Sequence, residues 1–161
     1  QGVVESGRGY TLRTSPSAGA RHPLETCVMV NRVAGLTPGL YRYSPSGNRL
    51  VRTSADGAVS GHLTAACLGQ AMLRACAVSF LWTAVIERGR WKYQQRAYRY
   101  IYLDAGHACQ NLYLACEALG LGCCAVAAFD DDAVNEILGI DGREEFAIYL
   151  ATVGRASPTA G

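Results

Sequence analysis

The feature that most constrains the fold is a long proline-free stretch, residues 96–119, in which Gly106 is the one interruption of a helix-favouring composition. Two sets of apolar or small residues recur in it at three- and four-residue steps, so each set lies along one face of a helix. The first set is Ile101, Ala105, Ala108, Leu112, Ala115 and Leu119, and the second is Tyr102, Gly106, Cys109, Tyr113 and Cys116. Because a helix that is apolar on two sides needs two packing surfaces, we expect a buried central helix ended by Gly120 and Gly122.

The remaining segments predict strands and shorter helices around this helix. Strands are predicted at 24–33, 40–43, 49–53, 77–86, 123–129 and 144–154, and helices at 58–73 and 133–139, the latter capped at Asp130–Asp132. Residues 1–13 indicate at most one short strand, 14–23 and 87–95 are predicted loops, and 155–161 form a loose tail. Together they predict an α+β fold, with helices packed on a central, mostly antiparallel or mixed sheet.

Composition bounds the domain organisation and excludes several function classes. Residues 1–161 fit a single domain, and because the chain starts at Gln1 in a loose segment we expect it to be truncated at its N-terminus. Half of the residues are apolar and the net charge is only +2, without a basic run, so nucleic-acid binding is not expected. No apolar run is long enough to span a membrane.

Cysteine usage indicates a reducing compartment. The seven cysteines form no Cys-x-x-Cys pair and no Cys/His metal spacing, so we interpret them as small core residues of a cytoplasmic protein without a metal site.

Several residues carry chemistry that the pattern alone leaves open. The small residues of the loop at 16–19 would let a ligand or an anion approach the backbone, but they also suit a simple turn. Lys92 and Tyr93 combine a positive charge with a group that transfers protons, but they also suit a surface loop. Arg155, at the end of a predicted strand, is placed to meet a phosphate, although surface arginines are common.

Three polar residues, Asp104, His107 and Asn111, fall on one line of the central helix at steps of three and four. Two interpretations are open: a catalytic relay, or a buried network in which the polar groups satisfy one another.

Five segments in order resemble the SagB-type dehydrogenases, FMN-dependent members of the nitroreductase superfamily that include the oxidases converting peptide azolines into azoles. They are RTSPSAGARHPLE (13–25), GLYRY (39–43), ERGRWKYQQRAYRY (87–100), LDAGHACQNLYLACEALGLG (103–122) and AFDDDAVNEILGIDGREEFAIYLATVGR (128–155). The resemblance covers nearly the whole chain and implies a nitroreductase-like fold, bound FMN and a homodimer.

The resemblance also implies roles for individual residues. The cofactor-binding set is Arg13, Pro16, Ser17, Ala18, Gly19, Ala127, Ala128 and Arg155. In it, the loop at 16–19 contacts flavin across a dimer interface, the backbone N–H after the helix–strand turn lies against flavin N5, and Arg155 meets the phosphate. Lys92 and Tyr93 match the pair associated with azoline oxidation, and the sequence does not decide which of them takes the ring proton.

Two departures from the family pattern stand out. Upstream of Tyr10 there is no Arg-x-Ser-x-Arg phosphate clamp, and Ala128 stands where glycine is more usual. Three hypotheses follow. The first is an azoline oxidase acting on a peptide or small molecule, with a cyclising enzyme or a larger synthetase as partner. The second is an NAD(P)H-dependent nitro- or quinone reductase, and the third is a flavin-free dimerisation or scaffolding module.

Overall fold

The computed structural model describes residues 2–7 and 10–155, which form eight strands, five α-helices and two short 3-10 turns. The strands are β1 Val3–Gly7, β2 Tyr10–Arg13, β3 Leu24–Val30, β4 Gly39–Ser44, β5 Arg49–Ser54, β6 Val78–Val85, β7 Gly122–Val126 and β8 Glu145–Gly154. The helices are α1 Val59–Ala66, α2 Met72–Ala75, α3 Glu87–Tyr93, α4 Ala97–Ala118 and α5 Asp131–Leu138, and the 3-10 turns are Ala18–Ala20 and Gln94–Arg96. The predicted α+β class is confirmed.

One six-stranded antiparallel sheet, in the order β5-β4-β3-β6-β8-β7, forms the centre of the molecule, and β1 and β2 pair separately as a hairpin. Alternate residues of each central strand face opposite sides, so both faces of the central strands are apolar and helices pack on each. On one side α1, α2 and α5 pack against residues such as Met29, Leu81 and Leu150. On the other side α4 packs against Leu24, Trp82 and Ala84.

The central helix α4 is buried along one face, where small residues allow it to lie close to the sheet. Ala97, Ile101, Ala105 and Ala108 are at most 5% exposed. The second predicted stripe is buried only in part, because a single sheet covers only one side of a helix. The opposite side of α4 exposes large apolar side chains, among them Tyr98, Tyr102, Leu103 and Leu114.

The predicted loop at 87–95 is wrong over most of its length, because residues 87–93 form helix α3. Glu87 in its first turn and Arg90 and Lys92 in its last turn have the charges that a helix dipole favours. The helix ends where Gln94 adopts a left-handed φ of 52°. Lys92 and Tyr93 therefore lie at the C-terminal end of a helix rather than in a loop.

Other predictions differ as well. Residues 1–13, expected to give at most one short strand, carry both β1 and β2, because the two pair with each other, and the strand predicted at 24–33 ends at Val30. The helix predicted at 58–73 is split into α1 and α2, because Leu68 and Gly69 adopt left-handed φ values of 56° and 76°. The strand predicted at 123–129 ends at Val126. The predicted cap of α5 is confirmed, since the Asp130 carboxylate accepts a hydrogen bond from the Ala133 amide at 2.9 Å. Of the predicted tail, residues 156–161 lie outside the described residues.

Strand register brings two of the sequence motifs to the same end of the sheet. Leu24, the first residue of β3, pairs with Ala84 near the end of β6. The loop at 14–23 therefore enters the sheet beside the point where the chain leaves β6 for α3. Among the described residues, no helix combines the length and apolar content that crossing a bilayer requires.

Candidate functional site

The loop at 14–23 meets the Lys92–Tyr93 pair at Gly19. A side chain built on Gly19 would clash with the Tyr93 hydroxyl, and its Cβ would lie 3.0 Å from Lys92 Nζ. Gly19 also has a φ of 58°, which disfavours any residue with a Cβ. The structure therefore brings together the loop glycine, the lysine and the tyrosine.

The loop holds a strained backbone at this point. Besides Gly19, both Ala20 and His22 have positive φ, at 52° and 47°, which costs free energy for residues other than glycine. Arg21 stabilises the turn, because its Nε donates to the Gly19 carbonyl at 2.8 Å while its guanidinium stacks over the Trp91 ring at 5.3 Å.

Asp104 fixes the loop to α4. The carboxylate is 4% exposed, and both of its oxygens accept hydrogen bonds from the loop: one from the Ser17 hydroxyl at 2.6 Å, the other from the Ala18 amide at 3.2 Å. The Ser17 oxygen in turn accepts from the His22 amide at 2.9 Å. Burial raises the pKa of the Asp104 carboxyl, and the hydrogen bonds from Ser17 and Ala18 oppose that rise.

Tyr93 is positioned by a second residue of α4. Its ring meets Tyr100 edge to face, with centroids 4.8 Å apart and an interplanar angle of 73°. Lys92 Nζ lies 5.3 Å from the Tyr93 centroid. The Tyr93 side chain is half-buried and that of Lys92 is exposed, so the phenol is held in place while the ammonium stays in contact with solvent.

Charged groups tie α3 to the sheet and to the loop. Arg88 forms an ion pair with Glu25 at 2.5 Å and donates to the His22 carbonyl at 3.1 Å. Glu25 also lies 3.6 Å from Arg42, which pairs with Glu145 at 2.6 Å. This network joins β3, β4 and β8 to the helix that carries Lys92 and Tyr93.

A small polar cavity of about 10 Å³ lies behind the loop, between Arg13, Ser15, His22 and Asp104. Within the described part of the chain, Arg13 Nε and Ser15 Oγ are buried there without a hydrogen-bond partner. A cavity of this size holds about one water molecule. Burial lowers the pKa of both the Arg13 guanidinium and the His22 imidazole. Arg13 is thus half-buried behind the loop, whereas Pro16 is exposed on the outer surface of the loop.

Ala127 and Ala128 follow β7 and are exposed. The Ala128 carbonyl accepts from Gln70 at 2.9 Å, which holds the turn against the end of α1. Between residues 10 and 155, neither the Ala127 nor the Ala128 N–H donates to a protein acceptor. Because β6 and β8 separate β7 from β3, this turn lies at the same end of the sheet as the loop but ~14 Å across it.

Arg155 lies at the opposite end of β7 and β8. Gly154 pairs with Gly122 at the start of β7, whereas Val126 at its end pairs with Leu150, so Arg155 is ~20 Å along the sheet from Ala127. Its side chain is exposed beside an open cleft of about 580 Å³ that also borders Arg32 and Cys124. The structure does not bring Arg155 to the loop or to Ala127.

The three polar residues predicted to lie on one line of α4 differ in exposure. Asp104 is bound to the loop, but His107 and Asn111 are exposed, so neither the relay nor the buried network holds for all three.

All seven cysteines are free; five are buried as expected, while Cys123 is half-buried and Cys124 exposed. Across residues 2–7 and 10–155, no group of three or more His, Cys, Asp or Glu residues has the arrangement to hold a metal ion.

Sequence reasoning missed the residues that hold the motifs together. The sequence singles out Asp104 only with its helical neighbours, and it gives no role to Tyr100 or Arg88. A buried carboxylate on an otherwise apolar helix face is a signal that a partner must exist. Nothing local identifies that partner as Ser17, 87 residues earlier in the chain.

Comparison with known proteins identifies relatives of this chain. MJ1384 of Methanocaldococcus jannaschii, named as a nitroreductase, is 38% identical over 96% of this chain and 74% of its own length. The trifolitoxin-processing protein TfxB of Rhizobium leguminosarum bv. trifolii is 30% identical, over 91% of this chain but only 41% of TfxB.

Solved structures show the same fold. A crystal structure from Anabaena variabilis, named as a nitroreductase, superposes with a TM-score of 0.86 at 32% identity, over 94% of this chain and 31% of that one. The Escherichia coli microcin synthetase McbBCD complex, with truncated pro-MccB17 bound, contains a chain that superposes with a TM-score of 0.80 at 21% identity, over 96% of this chain and 60% of that one. The sequence profile of the nitroreductase family matches residues 3–155. The chain belongs to the nitroreductase family.

Proposed function

We propose that this chain is an FMN-dependent dehydrogenase of the SagB type, which oxidises thiazoline or oxazoline rings to azoles in a peptide or carrier-bound intermediate. The observation that carries the proposal is the contact of Gly19 with Lys92 and Tyr93. Two motifs that belong to the resemblance, and that are far apart in the sequence, converge there. The similarity to TfxB, a protein named for trifolitoxin processing, supports a role in maturing a peptide product.

The residues present fit a flavin ring. The exposed turn at Ala127 and Ala128 offers backbone N–H donors without an acceptor in the described part of the chain, so the replacement of glycine by Ala128 keeps the donor. The loop from Pro16 to Gly19 of a second copy would approach the same ring, whereas Arg155, at the opposite end of β7 and β8, is not placed beside it. When bound, FMN would supply the two-electron acceptor that the oxidation requires.

The chain's own contribution is proton transfer. Converting an azoline to an azole removes a proton from one ring carbon and a hydride from its neighbour, and a C=C bond forms between them. Tyr93 Oη, held by Tyr100 and facing the loop, takes the proton. The Lys92 ammonium supplies positive charge beside this oxygen, which accepts the proton as a phenolate and becomes neutral in the step.

We further propose that the site is completed in a homodimer. Within one chain β6 and β8 separate β3, which follows the loop, from β7, which precedes the Ala127 turn, so these two strands lie ~14 Å apart. The outer side of α4 exposes Tyr102 at 59%, Leu103 at 53% and Leu114 at 61%, an apolar surface that a second copy would cover. A chain of the McbBCD synthetase complex shares this fold, and we accordingly propose a cyclising enzyme or a larger synthetase as the partner of this chain. Free, mostly buried thiols fit a cytoplasmic location.

The proposal is tested by anaerobic reduction of the FMN-loaded protein with a synthetic azoline peptide, followed by absorbance. We expect Tyr93→Phe and Lys92→Ala each to slow reduction by ~10²–10⁴-fold while FMN stays bound. Arg90→Ala is the matched control, since Arg90 is an exposed cation on the same helix that pairs with Glu87 at 3.2 Å instead. Equal rates in wild type and both variants would remove the pair from the chemistry.

The second candidate is an NAD(P)H-dependent nitro- or quinone reductase, favoured by the 38% identity to MJ1384. The same anaerobic flavin-reduction assay distinguishes the two functions. Rapid reduction by NAD(P)H that does not depend on Tyr93, with no reduction by the azoline peptide, would establish the reductase instead.

A further inference from the structure

Two residues of α4, Tyr100 and Asp104, are four positions apart and therefore lie on the same face of the helix, one turn from each other. Tyr100 packs against Tyr93, and Asp104 binds Ser17 and Ala18. One helical turn therefore holds both sides of the contact between the loop and α3.

Packing alone does not explain a carboxylate at position 104. The other buried residues of α4 are alanine, isoleucine and cysteine, so Asp104 is the one carboxylate among the buried residues of this helix. Burying an ionisable group costs free energy unless hydrogen bonds compensate. Here both carboxylate oxygens are used by the loop, so the compensation comes from the loop.

The loop needs such support. Its backbone has positive φ at Gly19, Ala20 and His22, and strained conformations of this kind persist only where surrounding contacts fix them. The Ser17 hydroxyl extends the support from Asp104 to the His22 amide, at 2.9 Å.

A second series of contacts connects the loop to α4 through α3. The His22 carbonyl accepts from Arg88 of α3 at 3.1 Å, α3 carries Tyr93, and Tyr93 packs on Tyr100. We propose that Asp104 is a positioning residue, which fixes Ser17 and Ala18 so that Gly19 meets Tyr93 at the separation set by Tyr100. The effect of Asp104 on catalysis rests on the proposed function. The positioning of the loop by Asp104 does not depend on that function.

The structural content is tested by amide hydrogen exchange in wild type, Asp104→Ala, Asp104→Asn and Cys109→Ala. Cys109 is the matched control, because it lies on α4 and is also 4% exposed but does not contact the loop. We expect exchange at the Ala18 and His22 amides to rise by roughly 10–100-fold in Asp104→Ala, less in Asp104→Asn, and not in Cys109→Ala. Ser17→Ala should reproduce the effect at His22 if Asp104→Ala fails to fold. Unchanged loop exchange in the Asp104 and Ser17 variants, or an equal rise in Cys109→Ala, overturns the inference.

The catalytic consequence is tested by a double-mutant cycle in the azoline assay. Asp104→Ala should slow flavin reduction by roughly 10–100-fold, Asp104→Asn should recover part of the rate, and Asp104→Ala combined with Tyr93→Phe should be no slower than Tyr93→Phe alone. Additive losses mean that Asp104 does not act through Tyr93 and overturn the positioning role. If wild type does not oxidise the azoline at all, the proposed function fails, and the exchange experiment alone decides whether Asp104 holds the loop.

Discussion

The loop at 14–23 and the turn after β7 are both matched by the family pattern, yet they are built in opposite ways. In the loop, Ser17, Ala18 and His22 are bonded to α4 or α3, and the strained backbone is fixed from several sides. In the turn, Ala127 and Ala128 are exposed and their N–H groups have no acceptor among the described residues. The loop half is therefore held by contacts within the chain, whereas the backbone donors of the turn half face solvent.

This difference accounts for the arrangement of the site. In the proposed function Lys92 and Tyr93 are a catalytic pair, which must hold its geometry before substrate arrives, and Gly19 and Tyr100 pack against Tyr93 in one chain. A cofactor-binding backbone must instead keep its donors free until the ligand is bound. In the proposed homodimer, the exposed face of α4 is the surface through which a second copy would bring the two halves together, since β6 and β8 separate their strands within one chain.

The largest effect on the loop half is expected from Gly19→Val. The new side chain would need a positive φ and would displace Tyr93 and Lys92, so we expect ~1–3 kcal/mol lower free energy of unfolding and roughly 100-fold slower azoline oxidation. Gly57→Val is the control, because Gly57 lies outside α4 and has no positive φ, and a Cβ added there would meet nothing within 4 Å. Chemical denaturation and flavin reduction measure the two effects. Comparable stability and rate for Gly19→Val and wild type would show that the loop does not pack on the pair as described.

A smaller effect is expected from acidification. Burial lowers the pKa of His22 below its ordinary value of 6.5, so between the two values the unfolded chain binds more protons than the folded one. The free energy of unfolding should therefore rise with pH through that window and be lost as the pH falls through it. Thermal unfolding of wild type and His22→Asn between about pH 5 and 7.5 tests this, with a flatter pH dependence expected for the variant. The same slope in both proteins would show that His22 does not carry the effect.

The sequence predicted the elements whose signals are local. Proline-free, three- and four-residue periodicity placed α4 correctly, and β-branched runs placed β3 and β6. The miss at α3 arose because its polar composition resembles a loop, while its position is fixed by close packing on α4, where a Cβ added at Gly89 would lie 3.4 Å from the Ala97 Cβ. The break between α1 and α2 was missed because Leu68 adopts a left-handed conformation that its residue type disfavours.

The candidate site, too, was predicted only where its signals are local. Motifs identified the loop, the Lys92–Tyr93 pair and the turn after β7 as candidates, but not which of them touch. The contact of Gly19 with Tyr93 depends on the pairing of Leu24 with Ala84, which no local pattern contains. The binding of Ser17 to Asp104 depends on the packing of α4 across that pairing, and so it required the fold.

The central claim is that the loop half of one copy completes the turn half of another, and a mixed dimer tests it most directly. Tyr93→Phe inactivates the loop half, and Ala127→Pro removes the backbone donor of the turn half. Each variant alone should be nearly inactive in azoline oxidation. After the two are unfolded and refolded together at equal concentration, about half of the dimers carry one site built from intact halves, so activity should return to about one quarter of wild type. Light scattering establishes that the mixture is dimeric. A mixture that is dimeric but no more active than its components would contradict the claim and place both halves of each site in the same chain.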